Sequence, residues 1–168
     1  ELGPCGARAR ARTEDAGEAG EVEGLDDAWC ARGREALPSC GLRDGVARVG
    51  KLCLVARDSG GVLAAAVRYW PVVIGGRPAL LLGPIGVHPT RQGEGLGALL
   101  IGDSLERARR AGWHRVLLVG DASYYGRFGF SRLDGVVMPA PANPDRVLGV
   151  ALSAGAWDGV KGAVMRAA

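Results

Sequence analysis

What the sequence lacks sets its first limits. No apolar run reaches the roughly 20 residues of a membrane span, because Arg77 and the Gly and Pro punctuation break the longest candidate. The excess of positive charge is only +3, too weak a footprint for nucleic acid. Cys5, Cys30, Cys40 and Cys53 are widely spaced, with no C-x-x-C among them. That spacing argues against a disulfide frame or a zinc site and for reduced thiols in a cytoplasmic protein. No metal is expected. The opening residues, Glu1-Leu2-Gly3-Pro4, hold no signal-peptide core and no initiator Met, so the native N-terminus is not taken as present. No internal repeat is found.

What remains is a chain of 168 residues, enough for one domain with a real core. Residues 1–24 are rich in Ala, Gly, Arg and Glu and are expected to form a flexible terminal segment. Residues 25–168 form the expected single domain. Short helices are predicted over Val22–Arg34 and Leu42–Val49. Strands are predicted over Lys51–Arg57, Val62–Ile74 and Ala79–Val87, joined by the glycine turns Gly60-Gly61 and Gly75-Gly76 into an antiparallel meander. Pro84 has no N–H for a sheet ladder and predicts a bulge or a parting of strands. A helix over 95–111 follows, with Ala98, Ile101, Leu105 and Ala108 on one face and Gly112 at its end. Arg115–Val119 then reads as a strand parallel to Ala79–Val87. Ala122–Arg127 reads as a short helix. Gly135–Met138 and Arg146–Leu152 are the last strand candidates.

The chemistry concentrates between Leu80 and Ala111. Gln92-Gly93-Glu94-Gly95-Leu96-Gly97 leads into the helix. The first N–H groups of a helix have no internal partner, and the helix dipole favours negative charge there. Glycines let that backbone approach a phosphate. One reading is a dinucleotide site, since Gly93-x-Gly95-x-x-Ala98 fits G-x-G-x-x-[G/A] and Asp121 lies roughly 20 residues on. Against it, five residues separate the glycines from the strand, and the preceding strands form hairpins.

Val87-x-Pro89-x-x-Gln92-x-x-Gly95-x-Gly97 resembles the acetyl-CoA signature of the GCN5-related N-acetyltransferases, [Q/R]-x-x-G-x-[G/A]. Tyr124-Tyr125-Gly126-Arg127-Phe128-Gly129-Phe130 resembles the second marker of that superfamily, in the form found in its YhbS-like branch. The resemblance covers roughly residues 46–165. It implies an α/β fold with a mixed, mostly antiparallel central sheet, a splayed parallel strand pair and flanking helices. It implies acetyl transfer from acetyl-CoA to an amine by direct attack in a ternary complex.

The cofactor set on this reading is Ile85, Val87, Arg91, Gln92, Gly93, Glu94, Gly95, Leu96, Gly97, Ala98 and Tyr125. Backbone N–H groups of Gly93–Ala98 would wrap the pyrophosphate, and the amide-rich pantetheine would pair along Ile85–Val87 as an added strand. Arg91 is a phosphate partner or a solvated surface residue. Tyr125 matches the tyrosine that meets the CoA sulfur in the superfamily, where a phenol can protonate the departing thiolate. The competing reading is a core tyrosine. Asp121 and His88 flank the expected cleft and are the candidates for a general base. Asp121 could equally bind the acceptor ammonium or cap the short helix, and a water relay is a further alternative. His114 reads as a surface residue. The acceptor is a small-molecule or peptide amine, and the protein a monomer or homodimer. A non-catalytic acyl-CoA-binding domain is the other alternative.

Overall fold

The computed structural model describes residues 10–29 and 40–167. The elements are β1 (Arg10–Thr13), α1 (Ala19–Trp29), α2 (Cys40–Arg43), β2 (Leu54–Arg57), β3 (Leu63–Ile74), β4 (Arg77–Val87), α3 (Leu96–Arg110), β5 (Arg115–Val119), α4 (Ala122–Tyr125), β6 (Ser131–Arg132), β7 (Val136–Val137), β8 (Val147–Ala151) and β9 (Gly162–Arg166). The sheet runs β1-β2-β3-β4-β5-β8-β6, and β9 joins β3 and β7. Pairs along that path are antiparallel except β4–β5; off it, β3–β9 is antiparallel and β7–β9 parallel.

The meander β2-β3-β4 forms as the glycine turns predict. Gly75 and Gly76 both take positive φ, +56° and +77°, which a two-residue hairpin turn with right-twisting strands requires. The Pro84 expectation is met as a bulge. Val67 pairs with Ile85 and Tyr69 with Leu82, so Arg68 faces both Gly83 and Pro84. Beyond the bulge β4 parts from its parallel neighbour. The β4–β5 register holds Leu80 to Val116 and Leu81 to Leu117 and goes no further.

α3 packs one face of the sheet. Leu100, Ile101, Leu105 and Ala108 meet Leu54, Val67, Tyr69, Leu80, Val116 and Leu118, each such Leu or Ile contributing about 1.5–3 kcal/mol by burial. Ser104, also on that face, bonds the Tyr69 hydroxyl at 2.7 Å. α3 ends in a Schellman motif: Trp113 N–H donates to the Ala108 carbonyl and Gly112 N–H to that of Arg109, with Gly112 at φ +92°. On the opposite face Val22 and Leu25 of α1 cover Val55, Leu63 and Ala66. Further along that face, Leu42, Val160 and Val164 cover Val72, Ile74, Leu81 and Leu117.

Several expectations need correction. Residues 10–24 are not a flexible terminus. β1 pairs with β2 from Arg10↔Arg57 to Thr13↔Leu54, and the charges after it are paired. The buried Glu14 carboxylate accepts from Arg68 Nε at 3.0 Å and Nη2 at 2.7 Å, and from Arg48 at 3.2 Å. Glu18 accepts from Arg12 and Arg57. Residues 1–9 and the predicted helix past Trp29 lie outside the described residues. The second helix covers only Cys40–Arg43, and Val49 instead donates its N–H to Tyr69 O. Lys51 and Leu52 form a 3₁₀ turn ahead of β2 rather than strand. Strands β1, β6 and β9 were not expected.

Candidate active site

The parting of β4 and β5 opens a cavity of about 580 Å³. One wall is β4, through Ile85 and Val87. The floor is the glycine loop and the start of α3. The far wall is the end of β5 with α4: Val119, Gly120, Asp121, Tyr124, Tyr125 and Arg127, with Arg146 from the turn before β8.

The floor is an open helix N-terminus. Gly93 and Gly95 take φ +85° and +79°, a conformation side chains disfavour. Gly95 is the N-cap of α3, no side chain caps it, and the first turn holds no acidic residue. The first N–H groups of a helix have no internal partner, and these lie on residues that line the cavity, an arrangement suited to phosphate. A Cβ on Gly97 would meet only Tyr124 and Val87 at 3.5 Å, ordinary contact, so bulk rather than any side chain at all is what this position excludes.

Every predicted cofactor residue lines the cavity except Glu94, whose carboxylate turns to Arg91. Arg91 is itself held between Glu94 and Asp58, the latter at 2.9 Å. Both carboxylates, Glu94 first, raise its pKa. It reaches the cavity as a braced side chain rather than a loose cation.

The Tyr125 ring lies against Gly120 and packs edge-on with Tyr124 at 4.9 Å and Phe130 at 6.0 Å. Burial above all, then Tyr124 and Asp121, pushes its hydroxyl up to about 12, with Arg146 opposing. The group stays protonated through the neutral range and is a donor, not a base. Arg127 stacks over Tyr124 at 4.5 Å and donates to the Tyr124 carbonyl.

The two base candidates separate. Asp121 lines the cavity. It precedes α4 without a side-chain cap bond, and its carboxylate lies 3.4 Å from Arg146. His88 does not line it. Its Nδ1 accepts from Thr90 N–H and pairs with the Thr90 hydroxyl at 2.7 Å, and its side chain borders a different hollow beside α1. His88 is thereby a turn-former at the end of β4. His114 is exposed, paired with Ser153. The sequence reading missed Val119, Gly120 and Arg146. Gly120 carried a local signal, a glycine at the end of an apolar strand just before the tyrosines. Arg146 sits in a proline-rich stretch that gave none.

Among the described residues no group of three or more His, Cys, Asp or Glu is placed to hold a metal ion, and no helix is long and apolar enough to cross a membrane. The buried Cys53 is a free thiol whose pKa is raised by burial.

The profile of the acetyltransferase (GNAT) family matches residues 21–130. The chain belongs to the GNAT family. The match runs from α1 to Phe130 and so takes in the glycine loop and both tyrosines. YhbS of Escherichia coli K12, an uncharacterized N-acetyltransferase, is 33% identical over 81 residues, 47% of this chain and 48% of that protein. The match thus spans about half the length of the curated relatives. Two solved GNAT structures share the fold closely. E. coli YhbS in complex with CoA superposes with a TM-score of 0.80 at 25% identity, covering 99% of this chain and 93% of that one. A Brucella melitensis GNAT acetyltransferase in complex with acetyl-CoA gives 0.73 at 28%, covering 96% and 97%. The GNAT assignment also removes the dinucleotide reading. The sheet is mixed and mostly antiparallel rather than doubly wound, and a 3₁₀ turn, Pro89–Arg91, stands between β4 and the glycines.

Proposed function

We propose that this protein is an N-acetyltransferase that moves an acetyl group from acetyl-CoA to an amine by direct attack. One observation carries the reading. The uncapped α3 N-terminus, the unpaired edge of β4 and the Tyr125 side chain open into one cavity. Those three features suit the three parts of one ligand: a pyrophosphate, an amide-bearing arm and a sulfur.

Acetyl-CoA, when bound, supplies the activated acyl group. Backbone N–H groups of Gly93–Ala98 hold its phosphates, and the edge of Ile85–Val87 holds its arm. Tyr125 donates a proton to the sulfur as the C–S bond breaks. The hydroxyl is protonated through the neutral range, so it holds a hydrogen to offer the sulfur. The amine is protonated at neutral pH and must shed a proton before attack. Asp121, at the mouth of the cleft, receives the ammonium, and the proton leaves through water.

A non-catalytic acyl-CoA-binding domain is the second reading, favoured by one observation: His88 faces away from the cavity. Calorimetric titration with CoA, followed by an amine panel with acetyl-CoA, tests both. CoA binding with acetyl transfer supports the enzyme. CoA binding without transfer to any amine supports the carrier. Gly95→Val would place a branched side chain on a φ of +79° and over the phosphate floor. Loss of CoA binding with the fold retained is expected, and wild-type affinity would overturn the loop assignment.

A further inference from the structure

The far wall of the cavity carries a charge pair that the donor's chemistry leaves unused. Arg146 and Asp121 both line the cavity, Nε to Oδ1 at 3.4 Å, with side chains 50% and 69% exposed. The backbone positions them, since Gly120 N–H donates to the Arg146 carbonyl at 2.9 Å and so ties the turn before β8 to the end of β5. Tyr125 N–H donates to the Asp121 carbonyl at 3.0 Å, and all three residues line the one cavity. The pair therefore stands beside Tyr125, at the reacting end.

Coenzyme A carries its charge on phosphates at the opposite end of the pantetheine arm from the sulfur. Near Tyr125 it offers only a neutral thioester and amides. A cation beside an anion here has nothing on the donor to meet. The other two arginines of the cavity are engaged: Arg91 by Asp58 and Glu94, Arg127 by the Tyr124 ring and carbonyl. The Arg146–Asp121 contact is long beside the usual 2.7–2.9 Å of a charged hydrogen bond, and both groups are well solvated, so parting them costs little.

We propose that Arg146 and Asp121 select a free α-amino acid as the acetyl acceptor, with its carboxylate on the Arg146 guanidinium and its ammonium on Asp121. The proposal rests on the acetyltransferase reading. The ammonium loses one proton, its nitrogen bonds the acetyl carbon, and the C–S bond breaks. The nitrogen sheds a second proton, the sulfur takes one from Tyr125, one of the two released protons restores the Tyr125 hydroxyl through water, and the other goes to solvent. The amide product is no longer a cation, loses its hold on Asp121 and departs.

The test is a matched panel of L-amino acids, their carboxamides and the corresponding alkyl amines, assayed with acetyl-CoA. Wild-type kcat/KM is expected to favour acids over amides by about tenfold or more, the worth of a charged hydrogen bond at a partly exposed site. Arg146→Gln should bring that ratio close to one, and Arg146→Lys should keep part of it. CoA affinity, read by calorimetry, should be the same in all three proteins. Acids and amides acetylated equally by the wild type would overturn the proposal. So would a tenfold loss of CoA affinity in Arg146→Gln, which would make Arg146 a cofactor contact. Failure of the wild type to bind CoA at all would sink the acetyltransferase reading itself, whereas CoA binding with transfer to amines of every charge would sink only the acceptor assignment.

Discussion

Gly120→Ala is a one-methyl test of the chemical role of Tyr125. The added Cβ would stand 2.4 Å from Tyr125 Cε2, 2.9 Å from Cδ2 and 3.1 Å from Leu118 Cδ1. Carbon atoms settle about 3.5–4.0 Å apart, so something moves by about 1 Å. Leu118 is core, 2% exposed, and holds its ground. Tyr125 rides on a four-residue helix beside the cavity and yields. The backbone accepts alanine, because Gly120 is not among the positive-φ glycines. The fold should survive at a cost of about 1–3 kcal/mol for overpacking. A hydroxyl misplaced by about 1 Å is expected to slow the chemical step by about 10²-fold. The assay is single-turnover acetyl transfer at saturating acetyl-CoA, alongside CoA calorimetry and a melting curve. If the methyl acts through the hydroxyl, then Gly120→Ala adds little to Tyr125→Phe in the double mutant. Wild-type turnover in Gly120→Ala, with the ring visibly displaced, would refute the assignment. Full additivity of the two changes would refute it as well.

Further outcomes follow from the same geometry. Tyr125→Phe keeps the ring and should lower single-turnover rate by about 10²-fold, the low end for a positioned acid, with CoA affinity held; unchanged turnover returns Tyr125 to packing. Glu18 is held at about 2, below its ordinary 4.5, chiefly by hydrogen bonding from Arg12. Its stabilisation is therefore complete above pH 4.5 and lost as pH falls through 2. Glu18→Gln should destabilise by about 2 kcal/mol at pH 7, allowing for solvent screening of Arg12, and should converge on the wild type as pH falls below 2 in denaturant titrations. Glu14→Gln removes the carboxylate that binds Arg68 in the interior and should cost about 3 kcal/mol, a fall of roughly 6–12 °C in melting temperature. A drop of under 2 °C, within the spread for surface changes, would show that the pair carries no structural weight.

The sequence made some of this legible and hid the rest for physical reasons. The meander could be read because its turns are two-residue glycine pairs between apolar runs, all local information. The bulge could be read from one proline. The glycine loop and the place of Tyr125 on the cavity wall could be read because each is a contiguous motif whose neighbours define its geometry. β1 was hidden because Arg10-Ala-Arg12-Thr looks like a solvated charged terminus. Its order comes from pairing with Leu54–Arg57, more than forty positions on, and from Glu14 meeting Arg68 across 54 residues of sequence. β9 was hidden because Gly162–Arg166 is short, and its partner is the outer half of β3. Gly120 matters only because a ring five residues on comes back to lie against it. Arg146 joins the site because β8 returns antiparallel to β5, a pairing that no local pattern around Pro139–Pro144 announces. His88 went the other way: its place at the strand end was read correctly, but the Thr90 contact that turns its ring aside depends on rotamers.

The parting of β4 from β5 gives this sheet an edge in its middle. Sheets guard their borders, as β1 does here by being four residues long and twice arginine. The stretch Ile85–Val87 has β3 on one side and a slot on the other. The start of α3 and the paired tyrosines line that slot. On the acetyl-CoA reading such a seam would be closed by the ligand rather than by the fold. At a ligand concentration a hundred times Kd, closure would add about 2.7 kcal/mol to the stability of the whole molecule. On the acetyl-CoA reading, the survival of this protein against unfolding and proteolysis would rise and fall with the supply of its own acyl donor. The amides of Ile85–Val87 would report that supply through their hydrogen exchange.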